Sequence, residues 1–350
     1  MIVLLIGIPL TQLAGIEQSI FKYNQGPGFS YSDMNGYGSR LGPYFIYNFY
    51  WLCLGIIFYI LTALFYIRGL PNNFREKLII AKSRFNGKYP FLISIFTILF
   101  ISIGGYIYYT NNILNDRTSS KEREIETVEW EKKYKKYEKY KQPRIVSVNV
   151  DVNIYPKLRN INASGEYIMI NKTTEPIDSI FLDHNSALST FKFDKENSLV
   201  SEDTLYNFDI YKLKKPLFSG DTLKLAFTVK NKPNTLLRNN SSVIYNGTFI
   251  NSSYFPRLGY SGGELTDDKT REKYDLPPNE LKPYPSDSMA LGNTYISKDS
   301  DWIDFEATVS TSKDQIAIAP GYLQKEWVEG DRRYFHYKMD SKILNFYAFN

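Results

Sequence analysis

Residues 90–109 read PFLISIFTILFISIGGYIYY and hold no side chain that is charged at neutral pH. A helix needs about 20 consecutive apolar residues to cross the hydrocarbon core of a bilayer, and a helix that is apolar all round has no water-facing side to offer a soluble fold. A second such run, 43–67, lies just upstream with one polar residue, Asn48, near its start. Two runs of this length, so close together, argue for membrane spans rather than buried core helices. Everything after residue 109 then lies on one side of a membrane.

The average composition conceals this. A net charge of +5 and a mean hydropathy of −0.32 describe an ordinary globular protein, but the apolar residues are gathered in the first third. Residues 1–16 carry no charge, and the first basic residue is Lys22. A signal peptide places positive charge before its apolar core, so 1–21 reads better as a transmembrane helix whose start lies outside the sequence. The expectation is three spans, 1–21, 43–67 and 90–110. Residues 22–42 are rich in Gly, Tyr, Ser and Asn and read as a turn-prone loop; no GxxxxGK[ST] occurs, so no phosphate cradle is built from these glycines.

Between the second and third spans lie Arg68, Arg75, Lys77, Lys82, Arg84 and Lys88 against the single acid Glu76. A short loop with that bias stays in the cytoplasm, which sends 22–42 and the long C-terminal region to the opposite side. Within it Phe74, Leu78, Ala81 and Phe85 recur at helical spacing. Two readings stay open, a basic amphipathic helix on the membrane surface and a plain solvated connector. Cys53 is the only cysteine and lies mid-span. It reads as packing material with an unreactive thiol, and the outer region of about 240 residues, long enough for its own core, is held without disulfides.

Residues 111–142 read as a charged helical stalk. Ser119 and Glu122 form a capping-box pair, Glu129/Lys133 and Glu131/Lys135 are spaced for i,i+4 pairing, and Gln142-Pro143 ends the helix. Trp130, Tyr134, Tyr137 and Lys141 share one face, which suggests docking on the following domain. The lysines alternate with glutamates, a solvated helix face rather than a nucleic-acid signature. From Arg144 the period becomes two. Val146, Val148, Val150, Val152 and Ile154 alternate with polar residues, as do Leu223, Leu225, Phe227 and Val229, and Ile303, Phe305, Ala307 and Val309. Hairpins are predicted at Asn246-Gly247 and around Glu329-Gly330-Asp331, and one short helix near 267–274. Many strands with short turns predict an all-β antiparallel sandwich over 143–350.

Candidate chemistry there is sparse. His184 and His336 are the only histidines, so HExxH is absent. His336 reads as a structural residue on a strand, and His184, beside Asp183, has no nucleophile to work with. Glu264, Asp267, Asp268 and Asp275 lack the spacing of a calcium loop; Asp267 and Asp268 suit the first turn of a helix. Six Asn-x-Ser/Thr sequons, at Asn162, Asn171, Asn239, Asn240, Asn246 and Asn251, are no more than an Asn- and Ser-rich chain yields by chance. No catalytic, cofactor-binding or metal-ligating residue is assigned.

The stretches SDMNGYGSRLGPYFIYNFYW, WEKKYKKYEKYKQPRI, YNGTFINSSYFPRLGY with DDKTREKYDLPP, and APGYLQKEW with ILNFYAF resemble the bacterial fusion family that joins an ABC-type permease to an M1-family aminopeptidase. The resemblance implies that 1–109 is similar to the last permease spans and that 145–350 is similar to the saddle-like β domain preceding the catalytic domain of M1 peptidases, cut short at its C-terminal end. It implies an inner-membrane protein with a periplasmic C-terminal domain. Its partners would be the lipid bilayer, the remaining permease helices, an ABC ATPase subunit, the downstream M1 domain and peptides, and no nucleic acid. HExxH and GxMEN are absent, so zinc belongs to the catalytic domain, this chain holds no cofactor, and it is inactive alone. The alternative is a membrane-anchored extracytoplasmic binding or sensor module without catalysis.

Overall fold

The structure is a computed structural model, and it describes residues 14–23, 25–31, 33, 36–37, 41–67, 73–114, 118–184, 189–231, 242–260, 262–279, 284–286 and 301–350. The chain divides into two compact units, the first within Met1–Ser119 and the second beginning at Ser120.

In the first unit, α1 (Leu41–Phe65) and α3 (Lys88–Asn112) are each 25 residues, a rise of about 37 Å that exceeds the hydrocarbon thickness. Each begins two residues before the proline that opens the apolar run. Pro43 and Pro90 therefore sit in the first turn, where an N–H has no intrahelical partner to lose. The helices run antiparallel: Tyr50 near the start of α1 stacks on Phe100 of α3 with centroids 4.4 Å apart, and the buried Asn111 amide donates to the Tyr47 hydroxyl at 2.8 Å. Asn48, the polar residue of this span, donates to its own helix at Tyr44 O, 2.8 Å. Between them α2 (Phe74–Arg84) packs Ala81 against Ile60 and Leu64. Of the three expected spans, two are present as helices: among the described residues two helices are long and apolar enough to cross a membrane. Residues 1–13 of the expected first span lie outside the described residues, and 14–23 hold only a single 3-10 turn, Ser19–Phe21.

The second unit is sheet-rich. Its strands are β1 (Arg144–Tyr155), β2 (Asn160–Ile170), β3 (Ile177–Asp183), β4 (Thr190–Phe193), β5 (Asn197–Asp203), β6 (Phe208–Leu217), β7 (Thr222–Asn231), β8 (Ile250–Asn251), β9 (Arg257–Leu258), β10 (Trp302–Ser312), β11 (Tyr322–Glu329), β12 (Arg332–Lys338), β13 (Ile343–Leu344) and β14 (Ala348–Phe349). A large sheet runs β11-β12-β10-β1-β2-β7-β4, with β13 also on β10; a smaller one runs β5-β6-β3-β9, and β14 pairs with β8. β1 and β10 are parallel, Val150 opposite Ala307, so the all-antiparallel expectation is corrected to a mixed sheet. Alternation reports which face is buried and is silent on strand direction, and β10 returns beside β1 only after the other sheet has been built.

The core lies between the large sheet and the smaller ones, and joins Val148, Val150, Val152 and Ile154 of β1 to Leu225, Phe227, Phe305, Val309, Ile180 and Leu182. Val146 is not in this row. A bulge between Ile145 and Ser147 resets the alternation, burying Ile145 instead. The predicted hairpin around Gly330 is present, with Glu329 opposite Arg332. The one at Asn246-Gly247 is not a strand hairpin: Phe249 N–H donates to Ser242 O, and Ile250 pairs with Phe349 of β14.

The segment read as a stalk is divided. Helix α4 (Ser120–Tyr134) is followed by a 3-10 turn, Lys135–Tyr137, and lies on the β strands. Trp130, Tyr134 and Tyr137 pack against Phe181, Phe208 and Tyr260. Gln142 fastens the exit, donating to Ser179 O at 3.0 Å and accepting from Phe181 N–H at 2.9 Å. Helix α5 (Asp268–Lys273) fills the short helix predicted near 267–274.

Candidate functional site

Because one face of the large sheet is core, the other carries the alternate residues, and these are polar. Ladder registers set Thr308, Asp151, Ser164, Thr228 and Thr190 in one row across five strands, and Glu306, Asn149, Glu166, Ala226 and Lys192 in the next. A groove of about 550 Å³ lies over Asn149, Asp151, Ser164, Glu166, Thr190 and Lys192. Gly165, between Ser164 and Glu166, turns to the core side instead, where a Cβ would meet Asn149 O and Val150 Cγ1 at 2.7 Å and the Phe227 ring at 2.8 Å. The side chains pair sideways: Thr190 and Thr228 hydroxyls at 2.6 Å, Lys224 with Glu166 at 3.5 Å, Ser310 with Asn153 at 2.6 Å. Such a face can hydrogen-bond an elongated polar ligand.

His336 stands on this face at the β12 end. Its Nε2 is 3.1 Å from Glu306 Oε1, its Nδ1 is 3.4 Å from Thr308 Oγ1, and Lys338 also reaches Glu306 at 3.1 Å. The order carboxylate, imidazole, hydroxyl resembles a nucleophilic triad, but β10 and β12 are each paired on both sides, so the ladders consume the backbone N–H groups that an oxyanion site needs. This is a surface ion cluster. His184 is elsewhere, at the end of β3, where its ring lies 3.6 Å from Asp209 and against Phe191, and its N–H donates to Asn207 O at 3.0 Å. The adjacent Asp183 pairs with Arg257 at 3.0 Å. The two histidines sit on different sheets, and no group of side chains suited to a metal occurs among the described residues.

The acidic residues of the 264–275 stretch are dispersed by structural duties. Glu264 pairs with Lys135 at 3.0 Å, Asp267 caps α5 by accepting from Thr270 N–H at 2.9 Å, and Asp268 accepts from Asn279 N–H at 3.0 Å. Of the sequons, Asn171 is fully buried and donates to Glu175 O and Leu217 O, while Asn239 and Asn240 lie outside the described residues.

Sequence reasoning missed a fully buried ion pair beneath α4. Glu131 and Arg271 form a bidentate pair at 2.6 and 2.9 Å with side chains 2 % and 0 % exposed. Arg271 also donates to Pro277 O at 2.6 Å and Leu265 O at 2.8 Å. Burial pushes the Glu131 carboxyl up, and the Arg271 guanidinium outweighs it, holding the group below the ordinary carboxylate range. Of the two pairs expected along the helix, Lys135 reaches Glu131 at 3.4 Å, but Lys133 turns to Asp203 at 2.5 Å, and Glu129 accepts from the Tyr206 hydroxyl at 3.1 Å. Tyr134 donates to the same Asp203. Burial and that carboxylate drive the Tyr134 hydroxyl upward, and burial with Glu129 lifts Tyr206 to about 12. Trp130 Nε1 donates to Gly262 O at 2.8 Å. This is a docking seam for a helix and carries no reactive group.

No family model matches the chain, and no curated protein matches it. Among solved structures it is similar to a mutant M1 zinc metallopeptidase from Deinococcus radiodurans, at 11% identity and a TM-score of 0.37, covering 59% of this chain and 42% of that one. It is also similar to Legionella pneumophila aminopeptidase A in complex with aspartic acid, at 10% identity and a TM-score of 0.34, covering 60% of this chain and 22% of that one. The chain therefore spans less than half the length of these structures.

Proposed function

We propose that this chain is the membrane-anchoring and β-scaffold portion of a fusion between an ABC-type permease and an M1 zinc aminopeptidase. In this reading the zinc and the peptide-cleaving residues belong to a catalytic domain that the scaffold carries. The four stretches quoted above motivate the reading, and one observation carries it. On the outward side of β14, alternation presents Phe249, Ile316, Ile318 and Phe346, which are 51, 64, 53 and 50 % exposed. Ile318 exchanges both backbone hydrogen bonds with Asn350, at 2.8 and 3.0 Å, which holds the 316–318 segment beside β14. Large apolar side chains gathered on one surface mark a place that another folded body covers, and the catalytic domain of this reading is such a body.

The test begins with the gene. A reading frame that continues past the Asn350 codon into GxMEN and HExxH, with zinc-dependent release of aminoacyl amides by the longer polypeptide, is the expected result; Ile316→Glu with Ile318→Glu should then weaken both its stability and its activity. A stop codon directly after Asn350, or stoichiometric zinc and turnover in residues 118–350 by themselves, sinks the reading. The polar groove favours the second reading, an extracytoplasmic module that binds an elongated polar ligand such as a peptide. A stop codon at that point would leave it standing.

A further inference from the structure

Helix α2 lies between the two apolar helices and presents an unusual face. At 100° per residue, Phe74, Leu78 and Phe85 fall within about 40° of arc, and they are 69, 45 and 47 % exposed. Arg75 and Lys82 flank this stripe on one side, Lys77 and Arg84 on the other, and Glu76 is the only acid between residues 68 and 88. Ala81 falls about 20° from Phe74 on the same side and packs against Ile60 and Leu64 of α1, so the stripe and the contact with α1 share one face. Arg84 locks the helix in place, donating to Leu64 O at 3.3 Å and Tyr66 O at 2.5 Å, carbonyls left open at the C-terminal end of α1. The helix is thereby fastened where one apolar helix ends and four residues before the other begins.

We propose that α2 is an interfacial helix that binds anionic phospholipid, with Phe74, Leu78 and Phe85 at the acyl boundary and Arg75, Lys77 and Lys82 on the headgroup phosphates. An apolar stripe bordered by cations on both sides fits a surface that is apolar below and anionic above. An acidic protein groove would match the charges, but the position at the ends of α1 and α3 places the stripe at the level of a bilayer surface. The inference rests on the reading of α1 and α3 as membrane spans, and its test separates the two.

The full chain carrying Cys53→Ser receives a nitroxide at Leu78→Cys, Ser83→Cys or Ile98→Cys in turn. Each is placed in phosphatidylcholine vesicles with and without phosphatidylglycerol, and collision with oxygen is compared with collision with a water-soluble nickel chelate. Ile98, on α3 and 63 % exposed, should report hydrocarbon in both lipids. Leu78 should report lipid when phosphatidylglycerol is present, while Ser83, on the far side of α2, reports water. Arg75→Gln and Lys82→Gln should each shift the docked ratio at Leu78 by roughly fivefold toward water in the anionic vesicles. If Leu78 is as open to the chelate as Ser83 while Ile98 stays in lipid, α2 is a solvated connector and the inference fails alone. If Leu78 is shielded regardless of phosphatidylglycerol and of both glutamines, an apolar protein surface or neutral lipid covers it, and headgroup recognition is refuted. Chelate access at Ile98 would remove the membrane reading and this inference together.

Discussion

Replacing Arg271 by alanine tests whether α4 is an integral part of the β unit or an appendage to it. The guanidinium is fully buried and makes four hydrogen bonds, two of them to Glu131, so truncation strands a carboxylate that is 2 % exposed. Breaking one partner of a buried ion pair costs about 3–5 kcal/mol, whereas replacing both by apolar groups of similar volume is close to neutral. Arg271→Ala should therefore lower the unfolding free energy of residues 118–350 by about 3–5 kcal/mol, a large share of what a domain has. Glu131→Leu combined with Arg271→Met should cost much less than the sum of the two single changes. Urea titration read by tryptophan fluorescence follows it, because Trp130 is seated in the same seam, 5.7 Å from the Tyr260 ring. A loss under about 1 kcal/mol for Arg271→Ala, or single effects that simply add, would show that the pair is solvated and that α4 is loosely attached.

Removing α4 altogether, by comparing residues 143–350 with 118–350, should bare Phe181, Phe208 and Tyr260 and produce aggregation or a lower melting temperature in the shorter fragment, as measured by light scattering and calorimetry. Gly165→Ala should destabilise the large sheet by about 1–3 kcal/mol in the same urea titration, because two of the three atoms its Cβ would meet belong to Asn149 backbone and a buried valine. The seam also predicts a stability plateau in pH. Glu131 and Asp203 are held below the ordinary carboxylate range, Glu131 by Arg271 and Asp203 by Lys133 and Tyr134, in both cases against burial. Their contribution is present above an ordinary carboxylate pKa of about 4 and is lost as pH falls through their lowered values. Tyr134 and Tyr206 are raised by burial and by Asp203 and Glu129, so their contribution is full below about pH 10 and is lost as pH rises toward the folded values. Unfolding free energies against pH, with tyrosinate absorbance on the alkaline side, check both edges.

Much of the second unit is legible in the sequence because burial is one-sided. Val148 to Ile154, Leu223 to Val229 and Ile303 to Val309 each alternate, and each lines the core. The aromatic face of 130–137 is legible for the same reason, at helical spacing. What escapes is whatever depends on partners far along the chain. Glu131 and Arg271 are 140 residues apart, and nothing local marks either as buried. The parallel pairing of β1 with β10 and the bulge that swaps Val146 for Ile145 leave no trace in period or composition. The polar groove is only half legible: outward residues of β1 and β2 are readable one strand at a time, but their meeting in rows needs the registers.

The Asn246-Gly247 expectation fails for a reason that magnitudes settle. A tight primed turn offers cross-strand pairs worth about 0.2–1 kcal/mol each to the strands it joins. Folding the segment into that hairpin would spend Ile250 on a local partner. In the structure Ile250 and Phe349 are both fully buried opposite one another, and Tyr347 O accepts from Ser252 N–H at 2.8 Å. Burying each of two such side chains contributes about 1.5–3 kcal/mol, more than the turn can return. The chain keeps the glycine at φ 83 and closes the loop with Thr248, whose hydroxyl donates to Ile244 O at 2.9 Å and accepts from Ile244 N–H at 3.1 Å. Local turn chemistry shapes the loop, while the distant β14 decides where β8 goes and so brings Phe249 to the same outward face as Ile318.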